Sequence, residues 1–342
     1  MVRILVIGHG LIGRQRANAV AARARAGQCA LAGTVDPQPR APDLYGGAPH
    51  FAQFADVAPD RYDAAVIAVP HHLAGGLARA VLAQGKPVLV EKPLGLSGAE
   101  ARALAGAARG TASFVGYNYR FLPTFREAAA RIQRGEVGAL RSIDMLLGHG
   151  GNPRSAEGWK LDPALAGGGV ILDPGVHLFD LLLCLEPRLG LSHAAATRGF
   201  WKTGIEEDFA AILGHGDLIA TARVSHIRWI NTFRIEIGGD AGYAIIEGRG
   251  GSYGAQTVRF GKRWGWNDGS GRAQRETEEA HDFGAGNDSL DVEMAAVIDR
   301  WNGAAPNPGA GDPGPATFDA GVKVAELCDE MYQRIGGGPD RR

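Results

Sequence analysis

The chain has 342 residues, 45% of them hydrophobic, enough for a large core and against global disorder. Its 36 basic and 37 acidic residues leave a formal net charge of −1, so no overall field favours nucleic acid or an anionic membrane as partner. Three cysteines, Cys29, Cys184 and Cys328, are odd in number and far apart, which argues against a disulfide framework and a metal site and fits a reducing compartment.

No separate apolar leader precedes the first strand, and the apolar run at 178–185 is interrupted by Asp180 and too short to span a bilayer. A soluble, cytoplasmic protein is expected. Strand-like runs at 3–7, 31–36, 64–69, 87–90 and 112–116 alternate with Ala/Leu-rich helical stretches at 11–26, 73–84 and 98–109. The runs are continuously hydrophobic, as in a parallel sheet covered on both faces, and the right-handed crossover rule makes the fold α/β and doubly wound. Another helix is expected at 124–134. From residue 140 the runs have one wetter face, at 142–147, 208–213, 218–226, 233–237, 243–247 and 257–260, joined by short glycine turns. They predict an α+β domain with an open, mainly antiparallel sheet and no helical crossovers between its strands. Helices return at 287–301, able to pack on either domain, and at 316–334. The expected domains are residues 1–117 and 118–335, with the C-terminal helices free to pack back on the first.

Gly8-x-Gly10-x-x-Gly13 follows a strand and opens a helix. Gly8 permits the tight turn, Gly10 lets backbone approach a pyrophosphate, and Gly13 allows close helix–strand packing. The helix start at Leu11 and Ile12 offers unpaired N–H groups to phosphates. Asp36 ends the second strand, where its carboxylate would accept bonds from the ribose hydroxyls. It would repel a 2′-phosphate, so NAD is favoured over NADP, although Arg40 lies close in sequence. Val69, Pro70, Glu91 and Lys92 complete the expected cofactor contacts. The alternatives are an ordinary glycine turn and an Asp-Pro turn former.

Lys92 lies in Glu91-Lys92-Pro93, just past a buried strand at the edge where doubly wound sheets bind ligands. A lysine titrating near ~10.4 is a poor base at neutral pH. A neighbouring nicotinamide cation and partial burial would lower that value and make it a proton shuttle. Glu91 is expected to orient the loop or touch cofactor, and Pro93 to fix the loop through a cis bond. A solvated Lys-Pro turn is the alternative. Asp173 and His177 are four residues apart beside a helical run. With Pro174 as first helical residue, Asp173 is the N-cap and His177 lies one turn on. His177 then accepts a proton from a substrate hydroxyl, or both residues are structural.

Gly8-x-Gly10-x-x-Gly13, Glu91-Lys92-Pro93 and Asp173-x-Gly175-x-His177 resemble the three signatures of the glucose–fructose oxidoreductase / inositol dehydrogenase / MocA family, over nearly the whole chain. The resemblance implies a Rossmann domain followed by a domain with a large open sheet, a homodimer or homotetramer, and Lys92, Asp173 and His177 as catalytic group. It implies oxidation or reduction of a hydroxyl-bearing carbon of a sugar, sugar derivative or nucleotide sugar. Substrate contacts are then expected from Asn118 and Arg120, from Arg154, Trp159 and Lys160, and from Lys92, Asp173 and His177. Two departures stand out: Ala74 occupies a place where relatives often have histidine, with His71 and His72 earlier, and Pro174 is unusual in the third signature. The segment 248–254 resembles one branch of the family but reads as a turn or subunit contact. His215, His226 and His281 lack metal-like spacing, and no nucleophile elbow occurs. An NAD-dependent glycoside hydrolase or lyase and a non-catalytic NAD-sensing binding protein stay open as alternatives.

Overall fold

Alternate residues of the first strands point to opposite faces, and both sets are buried. In the computed structural model, which describes residues 1–41, 44–151, 159–262, 278–305 and 311–337, Leu5, Ile7, Ala65, Ile67, Val88 and Val90 share one apolar cluster. Ile4, Val6, Ala64, Val66 and Leu89 share another. This two-sided burial is why the strands read as continuous hydrophobic runs. The strands are β1 (Arg3–Ile7), β2 (Ala30–Val35), β3 (His50–Phe51), β4 (Ala64–Ile67), β5 (Val88–Glu91) and β6 (Phe114–Gly116). With β15 (Ala316–Thr317) they form one sheet in the order β15-β6-β5-β4-β1-β2-β3, parallel except for β15. The short edge strands β3 and β15, two residues each, carry too little pattern to be anticipated.

Helices α2 (His71–Leu82) and α3 (Gly98–Ala107) cover one face through Ala78, Val81 and Leu104. Helix α1 (Leu11–Arg25) covers the other through Ala17 and Val20. The strand order reverses beside β1, so the crevice outside the carboxyl ends of β1 and β4 is the topological switch point.

The second sheet contains β7 (Leu140–Gly148), β8 (Gly190–Thr197), β9 (Asp208–His215), β10 (Leu218–Ser225), β11 (Thr232–Gly239), β12 (Gly242–Glu247), β13 (Thr257–Lys262) and β14 (Glu279–Asp282). Its order is β14-β13-β12-β11-β7-β10-β9-β8. The sheet is mainly antiparallel, but β7 and β10 run parallel. The absence of helical crossovers is therefore corrected: the chain passes from β7 to β8 through α5 (Pro163–Ala166) and α6 (Val176–Leu185). Helix α6 lies on the inner sheet face, with Phe179 and Phe209 rings 6.0 Å apart. Residues 163–185 are apolar enough to cross a bilayer, yet 72% of the apolar window is buried inside the fold, where it serves as core. That core is continuous from α2 and α3 through α6 to Ile143, Phe233 and Ile235 of the second sheet.

Helix α4 (Pro123–Gln133) links the two sheets. The later helices return to the first: α7 (Ser289–Trp301) packs Met294, Val297 and Ile298 against the α1 face, and α8 (Phe318–Arg334) packs along α3 and α6. Two buried arginines pin these elements. Arg16 on α1 donates to Glu91 at 2.7 Å and to Glu293 on α7 at 2.6 Å. Arg120 forks onto Asp180 of α6 at 2.7 and 2.6 Å. Such pairs contribute little over an apolar substitute, but losing one member strands a buried charge. Asp180→Ala should therefore lower unfolding free energy by about 3–5 kcal/mol in urea titrations; a change under roughly 1 kcal/mol would show that Arg120 finds another partner or water.

Candidate active site

The carboxyl ends of β1, β4 and β5, the 117–121 segment, the turn before α6 and the loop after β12 enclose one cleft of about 1130 Å³. That exceeds a typical drug-sized pocket and leaves room for a dinucleotide and a second ligand. At one end, Gly8 has φ +96°, and a Cβ there would stand 2.2 Å from the Ala68 carbonyl oxygen. A Cβ on Gly13 would stand 2.1 Å from the Gly8 oxygen, so these two glycines answer to the protein's own packing. Gly10 differs: a Cβ there would meet nothing within 4 Å, and the residue faces the cleft. Its bare backbone at the α1 start fits a pyrophosphate.

The Asp36 carboxylate is aimed by the His9 N–H at 2.7 Å and the Gln38 N–H at 2.9 Å. Arg40 is committed elsewhere, donating to Thr34 Oγ1 at 2.7 Å and the Leu44 carbonyl at 2.9 Å, with its guanidinium 5.3 Å from the Tyr45 ring centroid. The acidic end of the cleft thus has no adjacent free guanidinium from Arg40 to greet a 2′-phosphate. Leu11, Ile12, Val69, Pro70 and Glu91 line the same cleft, whereas Gly13 packs behind it.

At the other end, Lys92, Asp173 and His177, from distant chain segments, line the same cleft. Both Lys92-Pro93 and Asp173-Pro174 peptide bonds are cis. Asp173 accepts from Lys92 and, at 2.7 Å, from Lys160. Despite its burial, these two ammonium groups hold the carboxyl well below the usual range. The expected helix cap is corrected: α6 begins at Val176, Asp173 is extended, and its carboxylate serves lysines rather than helix N–H groups. Glu206 secures this turn, accepting from the Gly169 N–H at 2.8 Å and the Ile171 N–H at 3.2 Å.

His177 stacks on Tyr119 at 4.0 Å and 8° between planes. Its Nδ1 is buried without a hydrogen-bond partner among the described residues. Burial, then the Lys92 charge, push its pKa well down, so the ring is neutral at pH 7. A neutral imidazole, an oriented ammonium and an ionised carboxylate together can exchange a hydroxyl proton.

Asn118, Trp159 and Lys160 also line the cleft. The expectation for Arg120 is corrected: its guanidinium is bound to Asp180 in the core and does not line the cleft. Arg154 lies outside the described residues. Sequence reasoning assigned no site role to several residues that line the cleft. His71 faces the cleft, its Nδ1 3.1 Å from the Ala166 oxygen and its ring 4.7 Å from that of Trp159. His149 and His226 stack at 4.3 Å, and Trp201 Nε1 donates to the His226 carbonyl at 3.0 Å. Arg249 and Tyr253, read as part of a turn, face the cleft as well. No single spacing pattern links them, because they come from separate places: the start of α2, the segments after β7, β8 and β10, and the loop after β12.

A glycine-cradled Rossmann crevice joined to an open sheet, with Lys92, Asp173 and His177 lining the cleft between them, is the arrangement of a dinucleotide-binding oxidoreductase fold. The family model described as the oxidoreductase family, NAD-binding Rossmann fold matches residues 2–119, and the GFO/IDH/MocA C-terminal domain matches 125–245. The chain belongs to the GFO/IDH/MocA family and carries its NAD-binding Rossmann domain. Levoglucosan dehydrogenase of Pseudarthrobacter phenanthrenivorans is 31% identical over 152 residues, 43% of this chain and 39% of that one. The putative UDP-kanosamine synthase oxidoreductase subunit of Amycolatopsis mediterranei is 37% identical over 150 residues, 41% and 38% of the two chains. The matched stretch thus spans about two fifths of these curated relatives. Solved structures share the fold over nearly the full length. UDP-N-acetylglucosamine 3-dehydrogenase from Acidithiobacillus ferrooxidans has TM-score 0.75 at 21% identity, covering 98% of this chain and 97% of that one. A levoglucosan dehydrogenase complex with NADH and levoglucosan has TM-score 0.77 at 18% identity, covering 97% and 96%.

The cleft's histidines give stability a pH signature. Burial is the largest cause lowering His71 and His226, each to about 4, and it also lowers His149 and His177. Between their ordinary 6.5 and about 4 the unfolded chain binds protons that the folded chain refuses. Their contribution to stability is therefore complete above pH 6.5 and is lost as pH falls towards 4. Each histidine contributes a slope of roughly 1.4 kcal/mol per pH unit inside that window. Urea midpoints measured across it should fall with acid, and His226→Gln should flatten the fall; an unchanged slope in the variant contradicts the burial account.

Proposed function

We propose that this protein is an NAD-dependent dehydrogenase acting on a hydroxyl-bearing carbon of a sugar or sugar derivative, with residues 1–117 holding cofactor and 118–335 holding substrate. The observation that carries the proposal is the meeting of Lys92, Asp173 and His177, from distant chain segments, at the end of the Gly8–Gly13 crevice. The dehydrogenase names and the NADH complex of the relatives support it. Gly10 and the α1 start would hold the pyrophosphate, Asp36 the ribose hydroxyls, and the bound nicotinamide would supply hydride acceptance and donation. NAD rather than NADP follows from the aimed Asp36 carboxylate and the committed Arg40.

His177, neutral and only partly satisfied, takes the hydroxyl proton during oxidation. Lys92 donates a hydrogen bond to the same oxygen and is aimed by Asp173. In the reducing direction the imidazolium returns the proton. Tyr119 keeps the ring flat against a fixed platform, so little orientational freedom is lost on binding. Asn118, whose Nδ2 donates to Ser289 Oγ at 2.8 Å, and Trp159 shape the wall around the sugar.

We also propose a homodimer or homotetramer joined through the outer face of the second sheet, on which Ile219 is 62% and Ile212 44% exposed. Ile219→Glu should shift the mass measured by light scattering towards monomer; an unchanged mass rejects that face.

With NAD and a panel of sugars, Lys92→Met and His177→Asn should each lower kcat by roughly 10²- to 10⁴-fold. NAD affinity, measured by calorimetry, should stay within a few-fold of wild type. Net NADH accumulation separates this reaction from transient oxidation in a hydrolase or lyase. Wild-type turnover in either variant rejects its role in proton transfer.

A further inference from the structure

The charged side chains lining the cleft are Asp36, Glu91, Lys92, Lys160, Asp173 and Arg249. Their charges do not cancel locally. Asp36 sits at the glycine-loop end, and Glu91 is bound to Arg16. Asp173 answers both Lys92 and Lys160. Arg249 is left over: among the described residues it has no carboxylate partner, and its Nε is buried without a hydrogen bond. The cleft's histidines are driven towards their neutral forms, so they add no compensating change of sign.

Arg249 is held rather than loose. Its guanidinium carbon lies 3.9 Å from the Tyr253 ring centroid and 5.2 Å from that of Tyr119. Tyr119 in turn carries His177, so the cation stands one ring away from the proton acceptor. The loop around it demands glycine: Gly248 has φ +72° and a Cβ would come within 1.9 Å of the Ala255 oxygen, while Gly250 has φ +82° and a Cβ would come within 2.6 Å of the Gly286 oxygen. Asn287 Nδ2 grips the Arg249 carbonyl at 2.9 Å, and the Gly251 N–H donates to the Ala285 oxygen at 3.0 Å. A planar fork clamped on aromatic faces keeps its N–H edges for an acceptor, the arrangement in which arginine recognises carboxylate or phosphate.

We infer that Arg249 is a substrate-specificity residue that binds an anionic group on the sugar, a carboxylate or a phosphate, and that the protein selects charged sugars over neutral ones. This rests on the dehydrogenase reading for the position of the sugar, and the charge of the end it occupies supplies the rest. With Lys92 and Lys160 shared by a single carboxylate, the substrate end carries an excess of positive charge that an anionic ligand would neutralise.

The test uses full-length protein saturated with NADH, so that no sugar is oxidised, and calorimetric titration with glucose, glucuronate, glucose 1-phosphate and UDP-glucose. At least one charged member should bind roughly 10- to 100-fold more tightly than glucose, and which of them does so separates the carboxylate from the phosphate source. Arg249→Gln should remove the preference, and Arg249→Lys, which keeps the charge, should retain part of it. Glucose binding as well as every charged member, no detectable binding of any charged member, or a preference undiminished in Arg249→Gln overturns the inference. NADH production from the same sugars with NAD, in wild type and Lys92→Met, tests the dehydrogenase reading separately and can fail while the charge preference stands.

Discussion

The Asp173 carboxylate, gripped by two ammonium groups, is the contact on which the site depends. Lys92 arrives at the end of β5, Lys160 from the segment before α5, and Asp173 from the turn that opens α6. Burial alone would raise the carboxyl's pKa; with both ammonium groups beside it, it is held well down and stays ionised. The same contact sets the potential around His177, where the nearby Lys92 charge reinforces burial in keeping the imidazole neutral. One ion cluster therefore ties the end of β5 to the segments around α5 and α6 and bears on the protonation of His177.

The rest of the fold makes that cluster rigid. Glu206 accepts two N–H groups of the turn and the Tyr332 hydroxyl of α8 at 2.5 Å. Gly169 allows this approach, since a Cβ there would come within 2.0 Å of the Glu206 carbonyl oxygen. Arg16 does the equivalent for the Lys92 side by tying Glu91 to α1 and α7. Its other partner, Glu293, is pushed up to about 7 by burial, which Arg16 opposes. Arg120 and Asp180 stitch the 117–121 segment to α6 directly beneath the stack of His177 on Tyr119. Buried pairs and clamps thus support the groups left available in the cleft.

Much of this was legible in the sequence where a single segment carried its own signal. The first sheet showed as continuous hydrophobic runs because both faces are covered, and Gly8, Gly10 and Gly13 sit at a strand-to-helix turn whose sterics leave few alternatives. Lys92, Asp173 and His177 were marked by their neighbours in two short signatures. The parallel pairing of β7 with β10 was not legible, because nothing local to either strand fixes which distant strand it pairs with or in which direction. Nor was the role of Arg120, since nothing local tells an arginine bound to Asp180 in the core from one that faces a ligand. Arg249 shows the converse: its glycine-rich surroundings read as a turn, and only the packing of 285–287 against that turn reveals a side chain clamped towards the cleft. The helix-capping expectation for Asp173 failed because α6 starts at Val176, with Gly175 in the cap position, which leaves the carboxylate to the two lysines.

The central claim is that Lys92 and His177 act together beside the nicotinamide ring. Diffraction from crystals of the protein grown with NADH tests it most directly. The account predicts a ring lying at the end of the Gly8–Gly13 crevice, with its reactive face open to a sugar-sized space bounded by the Lys92 ammonium and the His177 imidazole. A nicotinamide ring bound outside that space, or either side chain turned away from it, would contradict the account.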